Sequence, residues 1–232
     1  MAIIVAFIAI RLLPTVRNIE VVIDTKESQI TKEQIVSLSG IKLGDKLYQD
    51  LRSTIAQRIE ENPYIKSAEI KRNLSGKVTI KILLRKPAYM INYAGQYIYI
   101  DKEGYILEVN SVCLESPIIL GFSTDFSALS IGNTKIRLNQ KDLEKLDMVN
   151  QILSNFKSNN VENTVNSIDV SDKKDFVLRL DGEGKEVHLG DGSDINTRVL
   201  YMKKILESEA GHTGIIYING NLDEGYVYFK EQ

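Results

Sequence analysis

Apolar residues occupy every second position in two stretches of the first third of the chain. One stretch is 18–24 (NIEVVID) and the other is 78–84 (VTIKILL); a shorter, more charged stretch around Ala68 and Ile70 precedes the second one. A period of two is typical of strands that are buried on one face. We therefore predict three strands between residues 18 and 84.

Two helices are predicted between the first and second of these strands. Thr31 and Gln34 have the spacing of a capping box, and Gly40 suits the position just after a last helical turn. The second helix places an apolar residue at every fourth position (Leu47, Leu51, Ile55 and Ile59) and ends at Asn62-Pro63. The order β-α-α-β-β predicts a small α+β domain, in which two helices cover one face of a three-stranded sheet.

Beyond Pro87 the pattern predicts a mostly antiparallel β-sheet domain with flanking helices. Predicted strands are 96–100 and 105–109, 176–180 and 186–189, and finally 214–219 and 226–230. The first two pairs flank short Gly-containing turns, which is typical of hairpins. Two amphipathic helices, at about 141–156 and 195–207, interrupt the strands.

The chain opens with ten residues, MAIIVAFIAI, that carry no charge. A helix that spans a bilayer needs roughly 20 apolar residues, so this run is about half a span. Three interpretations stay open: a transmembrane helix whose start is cut or mis-assigned, a short signal-like anchor, or a buried core strand. Arg11 and Arg17 follow the run. The positive-inside rule compares the basic residues on both sides of a membrane segment, so these two arginines alone do not fix its orientation.

Overall charge and cysteine content narrow the function classes. Lys and Arg total 29 against 31 Asp and Glu, a net charge of −2. This balance argues against a large nucleic-acid footprint, which needs a basic surface. The single cysteine, Cys113, rules out an internal disulfide framework, and we expect it to be a small buried residue.

Residues 181–194 (DGEGKEVHLGDGSD) form the only stretch that resembles a ligand loop. They lack the alternating oxygen ligands and the glutamate at position twelve of a calcium loop. We therefore expect a hairpin turn, followed by a helix that Asp194 caps. Neither His188 nor His212 has a second histidine or a cysteine at zinc-ligand spacing. We predict no catalytic residue, no metal and no cofactor.

Several short motifs occur in a distinctive order along the chain. They are Ser39-Gly40-Ile41, Asn62-Pro63-Tyr64-Ile65, Lys86-Pro87-Ala88, the hairpin Tyr99 to Leu107 with Asp101 and Gly104, and Pro117 to Gly121. This ordered series resembles the POTRA domain and the region after it in bacterial FtsQ/DivIB cell-division proteins. The resemblance covers nearly the whole chain and is loose between about 122 and 140. It implies a truncated transmembrane segment at 1–14, a POTRA domain at 15–86 and an FtsQ-type β domain at 87–232.

By this resemblance the protein is a non-catalytic divisome scaffold, anchored in the cell membrane by one helix with most of the chain outside the cytoplasm at the septum. The implied role is to bind division membrane proteins of the FtsB/FtsL (DivIC-type) class and to support septal peptidoglycan synthesis. Two alternatives stay open. One is an exported enzyme or wall-binding module that uses the Gly/Asp-rich or tyrosine-rich segments, and the other is a POTRA protein for polypeptide export.

The last predicted strand is the candidate binding site. A strand at a sheet edge offers unpaired N–H and C=O groups to a strand of a partner, and aromatic side chains beside it supply anchors. The aromatic residues here are Tyr226, Tyr228 and Phe229. The resemblance adds the preceding helix, with Lys203 and Lys204. The alternative is that one alternating face of this strand simply covers the sheet core.

Overall fold

The computed structural model describes residues 14–25, 28–127, 135–161 and 165–232. Contacts within the chain divide it into two compact units. Unit 1 comprises the described residues up to Lys86 together with Lys135, and unit 2 comprises Pro87 to Ser127 and Ile136 to Gln232.

Unit 1 has the predicted order of elements. It consists of β1 (Asn18–Ile23), α1 (Lys32–Ser39), α2 (Arg52–Glu60), β2 (Ile65–Arg72) and β3 (Lys77–Leu84). The sheet order is β1-β3-β2, with β1 parallel and β2 antiparallel to β3. The prediction of a β-α-α-β-β domain is confirmed.

The helices of unit 1 bury one stripe each against the sheet. Ile35 of α1 and Ile55 and Ile59 of α2 join Val78 and Ile80 of β3 in one core. The predicted capping box of α1 is present: the hydroxyl of Thr31 accepts from the Gln34 backbone N–H at 3.2 Å, and the Gln34 side chain accepts from the Thr31 N–H at 2.8 Å. Gly40 then ends the helix in the left-handed conformation, with φ of 70°.

The predicted apolar stripe of the second helix is wrong in its first half. The helix α2 begins at Arg52; Leu47 is buried in the loop before it, while Leu51 is exposed. The reason is that residues 44–47 pair with the chain that enters the unit. Leu47 N–H donates to the carbonyl of Pro14 at 2.9 Å, and Val16 N–H donates to the carbonyl of Asp45 at 2.8 Å. A backbone used in this way cannot also form a helical turn.

Unit 2 contains, within its described residues, ten strands in one sheet. They are β4 (Tyr89–Tyr93), β5 (Gln96–Ile100), β6 (Tyr105–Asn110), β7 (Ile118–Leu120), β8 (Ile136–Arg137), β9 (Ser167–Asp169), β10 (Val177–Leu180), β11 (Lys185–His188), β12 (Gly214–Tyr217) and β13 (Tyr228–Glu231). The sheet order is β13-β12-β11-β10-β9-β7-β4-β5-β6-β8. The pairs β4–β7, β7–β9 and β11–β12 are parallel, and the other pairs are antiparallel. The predicted mostly antiparallel domain is confirmed.

Two helices, α3 (Gln140–Ser158) and α4 (Ile195–Ser208), pack into the core of unit 2. Their buried side chains include Leu146, Val149, Ile152 and Phe156 of α3 and Val199, Met202 and Leu206 of α4. They meet the inward side chains of the sheet, such as Ile98, Ile168, Leu178, Val187 and Ile216, in one cluster.

The predicted transmembrane segment at 1–14 lies outside the described residues except for Pro14. In the part of the chain that is described, no helix is long and apolar enough to cross a bilayer.

Candidate partner-binding surface

β13 is the edge strand of the sheet in unit 2. On one side it pairs antiparallel with β12, from Gly214 opposite Glu231 to Tyr217 opposite Tyr228. The predicted strand 226–230 thus begins two residues late, and Tyr226 lies in the loop before it. No other strand of the described chain pairs with the far side of β13.

The backbone of two residues of β13 faces away from the sheet. Gln232 N–H donates to the carbonyl of Thr213 at 3.1 Å. Because bonding alternates along an antiparallel strand, Tyr228 and Lys230 also bond toward β12. The N–H and C=O groups of Phe229 and Glu231 therefore point outward, where a further strand would pair.

The outer face of the last three strands carries a stacked row of rings. His188 of β11 stacks on Tyr217 of β12 with centroids 4.9 Å apart, and Tyr217 stacks on Tyr228 of β13 at 4.8 Å. Tyr228 ends the row at the open edge and is 53% exposed. A side chain from an added strand would meet one open ring face there.

His188 is fixed in this row by carboxylates. Its Nδ1 lies 2.6 Å from Asp175 Oδ2, and its Nε2 lies 3.3 Å from Glu186 Oε1. Asp175 also accepts from the Gly190 N–H at 3.0 Å and from the Asn219 amide at 2.9 Å. The imidazole is thus held as a structural member of the aromatic row.

The inner face of β13 belongs to the core. Phe229 lies opposite Ile216 and packs against the apolar cluster of unit 2. Gly214 allows this approach, because a Cβ there would lie 2.3 Å from the Lys230 carbonyl oxygen and 2.8 Å from the Phe229 ring. Of the alternating residues in the strand, Tyr228 is therefore the exposed anchor and Phe229 is the internal one.

A buried arginine holds the chain that leads into β13. Arg198 of α4 is 6% exposed. Its Nη1 donates to the carbonyl of Ile218 and, at 3.3 Å, to that of Gly220; its Nε donates to the carbonyl of Ser193 at 2.8 Å. These bonds satisfy the buried cation and connect α4 to the loop that carries Tyr226.

A surface ion pair ties the end of β13 to the loop before β12. Nδ1 of His212 lies 2.9 Å from Oε1 of Glu231. The hydrogen bond to Glu231, together with the negative charge of that carboxylate, raises the pKa of His212 above its ordinary value of 6.5. The imidazolium is therefore favoured at the end of the edge strand.

The five predicted binding residues fall into two groups. Tyr226, Tyr228 and Phe229 lie in or next to β13, and Tyr226 is 61% exposed. Lys203 and Lys204 lie on α4. Lys203 Nζ donates to the carbonyl of Asn159 at 2.9 Å, and Lys204 Nζ lies 5.9 Å from the centroid of the Tyr201 ring. Lys203 is therefore already engaged in holding α4 against the end of α3.

Sequence reasoning missed His188 and Tyr217 as part of this surface. The alternation of residues did contain a signal. His188 and Tyr217 each follow a buried residue, Val187 and Ile216, and so lie on the opposite face of their strands. What the sequence does not contain is the register that places the two rings beside Tyr228.

Two smaller expectations are corrected. Asp194 does not cap α4: it adopts the left-handed conformation, with φ of 48°, and its side chain makes no capping bond. Cys113 is exposed and not buried.

The residues 181–184 do form a turn into β11, which Gly184 closes in the left-handed conformation. Within the described residues no group of three or more His, Cys, Asp or Glu side chains is placed so that it could hold a metal ion.

Comparison with known proteins gives consistent matches. Residues 16–83 match the family model described as POTRA domain, FtsQ-type. The cell division protein FtsQ of Corynebacterium glutamicum is 24% identical over 196 residues, which cover 84% of this chain and 79% of that protein. FtsQ of Syntrophotalea carbinolica is 25% identical over 84% of this chain and 67% of its own length.

The cell division protein DivIB of Clostridium tetani is 33% identical over 91 residues, 39% of this chain and 34% of that protein. Unit 1 is thus a POTRA domain of the FtsQ type, followed by a mixed sheet domain with helices. The chain belongs to the FtsQ/DivIB family of cell division proteins.

Proposed function

We propose that the protein is a non-catalytic scaffold of the bacterial division machinery. It binds other division proteins through its extracytoplasmic domains and so supports septal peptidoglycan synthesis. The proposed domains are a membrane segment at 1–14, the POTRA domain at 15–86 and the binding domain at 87–232. The family membership supports the division role.

The observation that carries the proposal is the open side of β13. Outward N–H and C=O groups of Phe229 and Glu231 are suited to β-strand addition, in which main-chain hydrogen bonds supply affinity. Tyr226 and Tyr228 lie next to these groups in the chain and are among the most exposed large apolar side chains of unit 2. Exposed aromatic residues beside free backbone groups are typical of binding hot spots.

The proposed partners are small membrane proteins of the FtsB/FtsL (DivIC-type) class, which present an extended segment to β13. The added strand brings an apolar or aromatic side chain onto the free face of the Tyr228 ring, at the end of the row that starts at His188. Lys204 on α4 is a secondary contact, since its ammonium group is not engaged in a salt bridge within the described chain.

The proposal is tested by binding of the extracytoplasmic segment of a DivIC-type protein to the full chain, measured by isothermal titration calorimetry. Tyr228→Asp places a charge against the added strand, and Phe229→Ala loosens the edge strand itself. We expect each to weaken binding at least tenfold, since loss of a hot-spot residue costs about 2 kcal/mol or more.

Tyr93→Asp is the matched control. Tyr93 ends β4 of the same unit and is 41% exposed, so its replacement tests a charge on an exposed tyrosine elsewhere. It should leave the affinity unchanged. If Tyr228→Asp and Phe229→Ala bind as tightly as the unmodified chain, and circular dichroism shows both to be folded, the scaffold proposal at this strand is wrong.

A further inference from the structure

The three most exposed large apolar side chains of the described residues are all leucines of unit 1. Leu74 is 79% exposed, Leu51 is 73% exposed and Leu43 is 67% exposed. Leu43 and Leu51 lie in the loop between α1 and α2, and Leu74 lies in the turn between β2 and β3. These are separate loops, and none of the three leucines is part of the core of unit 1.

Hydrogen bonds bring both loops to the segment through which the chain enters unit 1. Leu47 N–H donates to the carbonyl of Pro14 at 2.9 Å, and Arg17 N–H donates to the carbonyl of Gly76 at 2.7 Å. Thr15 also forms an isolated bridge with Lys46. We call residues 14–17, 41–52 and 72–76 together the entry surface.

The entry surface is basic as well as apolar. It carries five basic side chains (Arg17, Lys42, Lys46, Arg52 and Arg72) against two acidic ones (Asp45 and Asp50). The acids are engaged within the unit: Asp50 pairs with Arg58 at 2.5 Å, and Asp45 accepts from the Lys42 backbone N–H at 2.7 Å. The net charge presented outward is therefore positive.

An aromatic ring joins the two loops. The guanidinium carbon of Arg72 lies 6.0 Å from the centroid of the Tyr48 ring, and Tyr48 is half exposed. Tyrosine at the boundary between apolar and basic side chains is typical of residues at a membrane–water interface. Leucines, tyrosine and cations on one surface match a lipid headgroup layer better than water.

The sequence before Pro14 indicates what the entry surface contacts. Residues 1–13, which directly precede the entry surface, contain twelve uncharged residues and one arginine, and ten of them form the run MAIIVAFIAI. A membrane-embedded run at this position leaves few residues between the bilayer and Pro14. The lipid surface is then the nearest large structure to the exposed leucines.

We propose that the entry surface lies on an anionic lipid bilayer. Leu43, Leu51 and Leu74 enter the interfacial layer, while the basic side chains lie near the phosphates of acidic headgroups. This inference rests on the membrane anchor of the proposed function, and it adds that the POTRA domain itself contacts the membrane.

The absence of tryptophan from the chain allows a local test. Tyr48→Trp places one fluorophore on the entry surface of the full chain, which is reconstituted in vesicles of phosphatidylcholine with phosphatidylglycerol. We expect the emission of Trp at 48 to shift to shorter wavelength and to be quenched by lipids with brominated acyl chains. Both effects should weaken in phosphatidylcholine alone.

Leu83→Trp is the matched control. Leu83 is a half-exposed residue of the same unit, and it lies near the opposite end of β3, about 20 Å from Gly76 along the strand. Its emission should remain that of a ring in water. Lys42→Gln, Lys46→Gln and Arg52→Gln, combined with Tyr48→Trp, should each lower the ratio of lipid-bound to free loop roughly fivefold.

The outcomes separate this inference from the proposed function. If the chain floats with the vesicles but Trp at 48 stays exposed to water, the lipid contact is wrong and the anchor stands. If the chain does not float, both are wrong. If Trp at 48 is shielded without lipid and in proportion to protein concentration, the surface binds a second copy of the chain and the lipid contact is wrong.

Discussion

At Gly214 the neighbouring strand β13 leaves no room for a side chain on β12. The Lys230 carbonyl and the Phe229 ring occupy the space that a side chain at 214 would need. The backbone there is not in the left-handed region, so the requirement for glycine is one of space and not of conformation. A methyl group at this position would therefore push β13 away from β12.

We predict that Gly214→Ala destabilises unit 2 by about 1–3 kcal/mol, the usual cost of forcing an extra carbon into a packed site. The loss falls first on β13, and amide hydrogen exchange of residues 228–231 should accelerate. Gly182→Ala is the control, because a Cβ at 182 meets nothing within 4 Å. Equal exchange in both variants would show that β13 does not depend on this close approach.

The His212–Glu231 pair makes the attachment of β13 depend on pH. Since folding raises the pKa of His212, the stability that the pair contributes is fully present below pH 6.5. It is lost as pH rises through the raised pKa. Compared with the unmodified chain, His212→Gln should melt at a lower temperature in acid and at the same temperature at high pH. A melting difference that grows as pH rises would contradict this sign.

The residues of β13 show how much of the surface could be predicted from the sequence. The alternation of Tyr228 with Phe229 predicts that one face of the strand covers the core. In the structure Phe229 is partly buried against the core cluster, whereas Tyr228 is exposed. The stacked row with His188 and Tyr217 depends on the register of three strands. Because register is set by pairing between distant segments, a local pattern does not contain it.

Among the elements, α3 is fastened at its first turn by a buried carboxylate. Asp142 is fully buried. It accepts from the backbone N–H groups of Ser123 and Thr124 at 2.8 Å and 2.7 Å, from their hydroxyls, and from the amide of Asn139 at 3.0 Å. One side chain thus fixes both the helix start and the loop that follows β7.

Asp142→Asn should destabilise unit 2 by about 1–3 kcal/mol, because an amide group would present a donor to donors that the carboxylate now satisfies. The measurement is urea unfolding of the full chain. Asp147→Asn, an exposed position on the same helix, should change the free energy of unfolding by less than about 0.5 kcal/mol. Similar values for the two variants would refute the role of Asp142.

Element prediction succeeded where the signal is local. Capping residues and hairpin glycines predicted α1 and the turn at Gly104, which has φ of 77°. It failed at Leu47 and Leu51, where pairing with the entering chain overrides a helical period. Strands such as β7 and β9 are only three residues long, too short for alternation to be recognised.

At the scale of the whole molecule, each unit presents one surface that its own core does not explain. In unit 1 it is the entry surface, and in unit 2 it is the open side of β13. The first follows from exposed leucines and the second from unpaired backbone. The sequence predicted the edge strand β13, whereas the entry surface is formed by two loops that meet the chain at Pro14 and Arg17, a contact that no local pattern contains.

A final consequence concerns mechanical strength. The chain enters the sheet of unit 2 at β4 and reaches the proposed partner at β13, so tension between the two passes through β7. That strand is three residues long and shares a single register pair with β4, Met90 with Ile118. Few hydrogen bonds therefore resist tension between β4 and β7. By contrast, β10 and β11 share four register pairs, and so do β11 and β12. Under traction we expect the sheet to separate first between β4 and β7, so that this short strand would limit the force that the unit transmits.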